Sequence, residues 1–145
     1  MRIRSSAILL AVVVLASPAR AQAPDTASAA IAAAQAAART WLALVDRGQY
    51  PASWDSAAVG FKHGVTKSAW GDAVRQARGA LEPFGERNLT SAGYTTSLPN
   101  APKGQYVVLQ YETKVRGGKT VVEAVTPAKD PDGVWRVSGY YVRPH

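Results

Sequence analysis

The chain has no cysteine in 145 residues and only two histidines. Without cysteine there is no disulfide, no thiol nucleophile, no lipidated N-terminus and no cysteine-ligated zinc or iron–sulfur centre. With only His63 and His145 there is no His-Glu-x-x-His motif, and Gly-x-Ser-x-Gly is missing as well. No metal, nucleotide or haem motif is present, so no cofactor or metal is expected. Acidic residues are also few, 10 against 17 Lys and Arg. Long apolar runs are scarce too. The one unbroken run, Ala7–Ala16, is too short for a bilayer core, which needs roughly 20 residues.

That run sits in a recognisable order. Arg2 and Arg4 precede it, Ser17-Pro18 breaks it, and Ala19-Arg20-Ala21 follows with small residues where a signal peptidase requires them. Residues 1–21 read as a signal peptide cut between Ala21 and Gln22. The product is expected in the periplasm or the medium, with no membrane span after cleavage. Removing Arg2, Arg4 and Arg20 leaves 14 basic residues against 10 acidic, a net charge of +4. Such a modest excess suits weak attraction to an anionic surface and gives no reason to expect nucleic acid.

The mature chain is long enough for one domain. Residues 22–30 read as a flexible Ala-rich lead-in and 31–145 as the domain. Ile31, Ala34, Ala38, Leu42 and Val45 repeat at helical spacing, and Gly48 suits a left-handed cap. A second helix is expected from Pro51 to about Val59, then a connector over Phe61–Val65. A third helix from about Lys67 to Leu81 would be capped by Thr66 or Ser68. Its stripe reads Trp70, Ala73, Val74, Ala77 and Leu81, with Arg75 and Arg78 facing out. Beyond Gly85 the period changes to alternation. Four strands follow, at Glu86–Leu98, Gln105–Arg116, Lys119–Ala128 and Val134–Val142, with Gly93 a possible bulge and Gly117-Gly118 a hairpin turn. Three helices followed by a four-stranded antiparallel meander make an α+β fold with the helices over one sheet face.

Three strand segments, GQYVVLQYETKV (Gly104–Val115), VVEAVT (Val121–Thr126) and DGVWRVSGYYVR (Asp132–Arg143), together resemble an exported bacterial family catalogued as domain of unknown function 4019. The helical stretches Trp41–Ala57 and Phe61–Gly85 are similar to its other blocks, although LEPFG interrupts the usual helix ending. The resemblance implies export and one compact domain, and no catalytic residues. By element order the fold is similar to a variant of the nuclear-transport-factor-like cone.

Candidate catalytic groups are Glu123, Asp46 and His63. Glu123 is a buried carboxylate if it shares the inner face with Val121 and Val125, and a solvated one if Val122, Ala124 and Thr126 point inward; alternation does not decide. Asp46, near a helix C-terminus, is disfavoured by the dipole and is expected to pair with an arginine, whereas Asp55 reads as favoured in the first turns of its helix. His63 reads as a solvated connector residue. Tyr111, Trp135, Tyr141 and Trp54 are candidates for lining a ligand pocket. Arg116, Lys119 and Arg143 form a possible basic cluster at one sheet end.

Three functions remain open. The favoured one is a non-enzymatic envelope module that binds a small ligand or a partner protein. The alternatives are a small cone-fold enzyme using acid/base chemistry on an apolar substrate, and an electrostatic binder of anionic envelope polymers. Edman or mass-spectrometric sequencing of the exported protein is expected to begin at Gln22; a product retaining Met1 would contradict the leader assignment.

Overall fold

The computed structural model describes residues 26–145; the expected leader, its cleavage site and residues 22–25 lie outside the described residues. Helix α1 (Thr26–Asp46) buries Ala30, Ala34, Ala38, Trp41, Leu42 and Val45 along one stripe. It begins at Thr26, five residues before the onset read from the apolar spacing, because alanine needs no buried partner to remain helical. By length and composition α1 could cross a bilayer, which a search for unbroken apolar runs does not show. Here its stripe packs on the sheet, as in the core helix of a folded domain. Gly48 (φ +70°) turns the chain out of α1, and its amide donates to the Val45 carbonyl at 3.0 Å.

Four helices, rather than three, precede the sheet. Helix α2 (Tyr50–Asp55) carries Pro51 in its first turn and ends at Asp55, short of Val59. Asp55 therefore sits in the last turn, not the first, and pairs with Lys67 at 2.6 Å. The expected connector is largely helical, as α3 (Val59–Gly64). Helix α4 (Lys67–Arg78) is capped by Thr66, whose hydroxyl accepts from the Ala69 amide at 3.2 Å. Its buried line is Trp70, Val74 and Arg78, while Ala73 and Ala77 are exposed. Arg78 thus points inward, contrary to its polar character, because acidic and aromatic partners await it there.

Strands β1 (Arg87–Thr95), β2 (Tyr106–Lys114), β3 (Thr120–Lys129) and β4 (Trp135–Pro144) form one antiparallel sheet in chain order. This is the α+β meander that the sequence pattern anticipates. The β1 irregularity falls at Thr90, between Leu89 and Ser91, and Gly93 pairs regularly with Val108. Gly117 and Gly118 both take positive φ, at 72° and 71°, in the turn between β2 and β3. Pairing of Tyr111 with Glu123 and of Leu109 with Val125 sets those side chains on the helix-facing side. Trp41, Trp70, Phe61 and Tyr140 meet at ring-centroid distances of 5.1–6.5 Å over that face. Ser53 ties the aromatic layer together: its carbonyl accepts from the Trp41 indole and its hydroxyl from the Trp70 indole, both at 2.9 Å.

Candidate functional site

Glu123 occupies the inner face of β3 with no solvent exposure. Of the two strand phases, the buried one is therefore realised. A carboxylate this deep requires charged and hydrogen-bonding partners. The Arg87 Nε on β1 donates to Oε2 at 2.6 Å, and its Nη2 donates to Oε1 at 3.2 Å. The Thr113 hydroxyl on β2 donates to Oε2 at 2.6 Å, and the Tyr140 hydroxyl on β4 donates to Oε1 at 2.5 Å. Every strand of the sheet thereby contributes a group to one carboxylate. Its roughly four lone-pair sites are filled.

Two helix ends close the same network. Asp46, in the last turn of α1, accepts from Arg87 Nη1 at 2.6 Å and Nη2 at 2.8 Å, and from Arg78 Nη2 at 2.6 Å. Arg78, at the end of α4, lies 3.6 Å from Glu123 Oε1 and donates to the Tyr140 hydroxyl at 3.1 Å. Phe84 covers its guanidinium at 3.7 Å from the ring centroid. The Arg78 Nε is the one buried side-chain polar atom without a hydrogen bond among the described residues; Glu82 Oε1 stands 3.5 Å away.

The electrostatics follow from this geometry. Burial works to raise the Asp46 carboxyl, but the bonds from Arg87 and Arg78 outweigh it and hold it below the usual aspartate value. Burial also works to lower Arg87, and its two carboxylate partners reverse that and raise it. The Tyr140 hydroxyl is pushed well up, first by burial and then by the neighbouring Glu123 charge. Asp46 thus stays ionised with three of its roughly four lone-pair sites occupied, and its lowered pKa makes it a poor proton acceptor.

Outside this network, Asp46 and Arg87 form the back of a shallow mouth of about 380 Å³ between α1 and strands β1 and β2. Leu42 and Leu89 supply apolar wall, and Gln35, Arg39 and Tyr111 supply polar groups. Among the described residues, the side chains of Gln35 and Arg39 and the Tyr111 hydroxyl make no hydrogen bond or ion pair. The Tyr111 hydroxyl is raised chiefly by burial. Two sequence candidates, Asp46 and Tyr111, therefore meet here, with Glu123 one residue behind.

The other candidates lie elsewhere. Trp135 lines a separate groove of about 550 Å³ against the alanines of α1. Tyr141 is 55% exposed on the outer sheet face, where it pairs across from Ala124. The Trp54 indole donates to the Val65 carbonyl at 2.8 Å and is flanked by Lys62 and Lys67, a structural role. The four ligand candidates do not converge. His63 is exposed on α3 and borders a different groove, which it shares with Tyr106, Lys129 and Asp130. Lys119 and Arg143 share one groove, whereas Arg116 turns its Nε to the Glu82 carbonyl. No group of three or more metal-ligating side chains is present among the described residues.

Arg78 and Arg87 are the residues that sequence reasoning missed. Each had a signal: Arg78 continues the Trp70–Val74 line by one helical turn, and Arg87 shares strand phase with Leu89.

Fold and site together define a small α+β domain with an ion-paired interior and a shallow, partly polar mouth. A family model described as Protein of unknown function (DUF4019) matches residues 37–140, and the chain belongs to that family. The matched span contains every residue of the network from Asp46 to Tyr140. No curated protein matches the chain.

A double-mutant cycle tests the network. Arg87→Met and Glu123→Leu are each expected to cost about 3 kcal/mol in urea unfolding, since each removes the closest charged partner of a buried or part-buried ion. The double variant should cost less than their sum by about 2–3 kcal/mol. Additive losses would show that the pair does not couple.

Proposed function

We propose that the protein is an exported, non-enzymatic binding module of the cell envelope that holds a small ligand in the mouth between α1 and strands β1 and β2. The observation that carries this reading is the division of labour at the mouth. Its carboxylate, Asp46, is locked by two guanidinium groups, while Gln35, Arg39 and the Tyr111 hydroxyl stand free beside Leu42 and Leu89. Free donors next to apolar wall recognise a ligand. Acid/base chemistry instead needs a carboxylate poised to take a proton: Glu123 has its lone pairs filled, and Asp46 is held ionised by two arginines. The N-terminal leader supports delivery to the envelope.

The test is a titration with a panel of small neutral aromatics bearing one hydroxyl or amide, followed by ¹H–¹⁵N shifts. Saturable changes are expected at Gln35, Leu42, Leu89 and Tyr111. Leu89→Glu, a change at an exposed position, should weaken binding by about tenfold through lost apolar contact. A panel that leaves these residues unmoved contradicts the reading, as does turnover of any member that Asp46→Asn abolishes.

A further inference from the structure

Where the end of α4 approaches strands β3 and β4, a second groove of about 380 Å³ opens. Its floor and wall are apolar: Val121, Val142, Leu81 and Ala77. Lys119 and Arg143 border it, and no acidic residue lines it. Of the other arginines that border grooves, only Arg39 likewise has no ion pair among the described residues. Arg136 is paired with Asp130 and Asp132, and Arg87 with Asp46 and Glu123. Lys119 has no side-chain partner among the described residues. Arg143 donates only to the carbonyl of its neighbour Pro144, at 3.5 Å.

Two uncompensated cations at the rim of an apolar floor select a ligand with complementary parts. The cations attract one negative head, and the floor takes an apolar body. A polymer of repeated charge would use the cations and leave Val142 and Ala77 uncovered. A neutral hydrophobe would use the floor and leave the cations idle.

We infer that this groove binds a free anionic amphiphile, a monocarboxylate with a medium-length alkyl body. The site shares no lining residue with the mouth and stands independently of the function proposed there. The same head and tail could reach it from solution or as part of an anionic membrane, and a groove of about 380 Å³ is of the scale of one small molecule.

Calorimetric titration of the purified protein with octanoate, below its micellar concentration, tests this. Saturable binding is expected, tighter for octanoate than for hexanoate by about fivefold, from the two added methylenes partly buried. It should weaken as salt rises. Octanol and octyltrimethylammonium should bind at least about fivefold more weakly, since each lacks the attraction to the two cations. The double variant Lys119→Glu/Arg143→Glu changes only exposed side chains and should abolish binding. Ala77→Arg, also exposed, should block the floor with the fold retained by circular dichroism. Leu89→Glu should leave octanoate affinity unchanged, which separates this site from the mouth. Equal binding of octanol, association with phosphatidylglycerol vesicles without binding of free octanoate, or insensitivity to both groove variants would overturn the proposal.

Discussion

The burial of the Glu123 carboxylate is the constraint from which the rest of the structure follows. A charge without solvent is tolerated only when its partners are in place. Here they come from β1, β2, β4 and, through Asp46 and Arg78, from the ends of two helices. The register of the sheet and the seating of α1 and α4 therefore have to be satisfied together. A one-residue slip of β3 would turn Glu123 to the outer face and bring Val122 inward, a pattern the apolar residues alone would accept. The arginines remove that alternative. On this account the network serves structural specificity more than net stability, because buried ion pairs seldom exceed a well-packed apolar replacement in stability.

This constraint also shapes what the domain can do. The space between sheet and helices is filled by guanidinium groups and aromatic rings. Side chains without partners face shallow grooves at the rim. The carboxylates that look like catalytic candidates in sequence are the ones most heavily bonded in the fold. Functional promise and structural duty thus separate: Glu123 and Asp46 hold the frame, while Tyr111 and the cations at Lys119 and Arg143 remain available.

Much of the frame was legible in the sequence because local chemistry dictates it. The α1 stripe, the Gly48 exit, the Thr66 cap, the alternation of β2 and the Gly117-Gly118 turn all rest on residues whose preferences act over a few positions. What was not legible depends on distance in sequence. VVEAVT is apolar in both phases, so β3 could be placed only by knowing that Arg87 lies across the sheet. Arg78 reads as solvent-facing by type, and its burial is set by Asp46, 32 residues earlier. Helix α3 is only six residues long, too short to show a helical period, and is held partly by the Asp130 carboxylate at the Val59 amide, 71 residues away. The mouth was half visible: Asp46 and Tyr111 were singled out, but their meeting is a product of the fold.

The central claim is that Arg87 and Glu123 form a buried, water-shielded pair at the core of the sheet. The most direct measurement is the exchange of the Arg87 Nε proton, followed by NMR near neutral pH at low and high salt. The account predicts a resolved resonance that exchanges slowly and persists at about 1 M salt, where exposed pairs are screened. A proton that exchanges as fast as those of a free arginine side chain, or that is lost on adding salt, would contradict it.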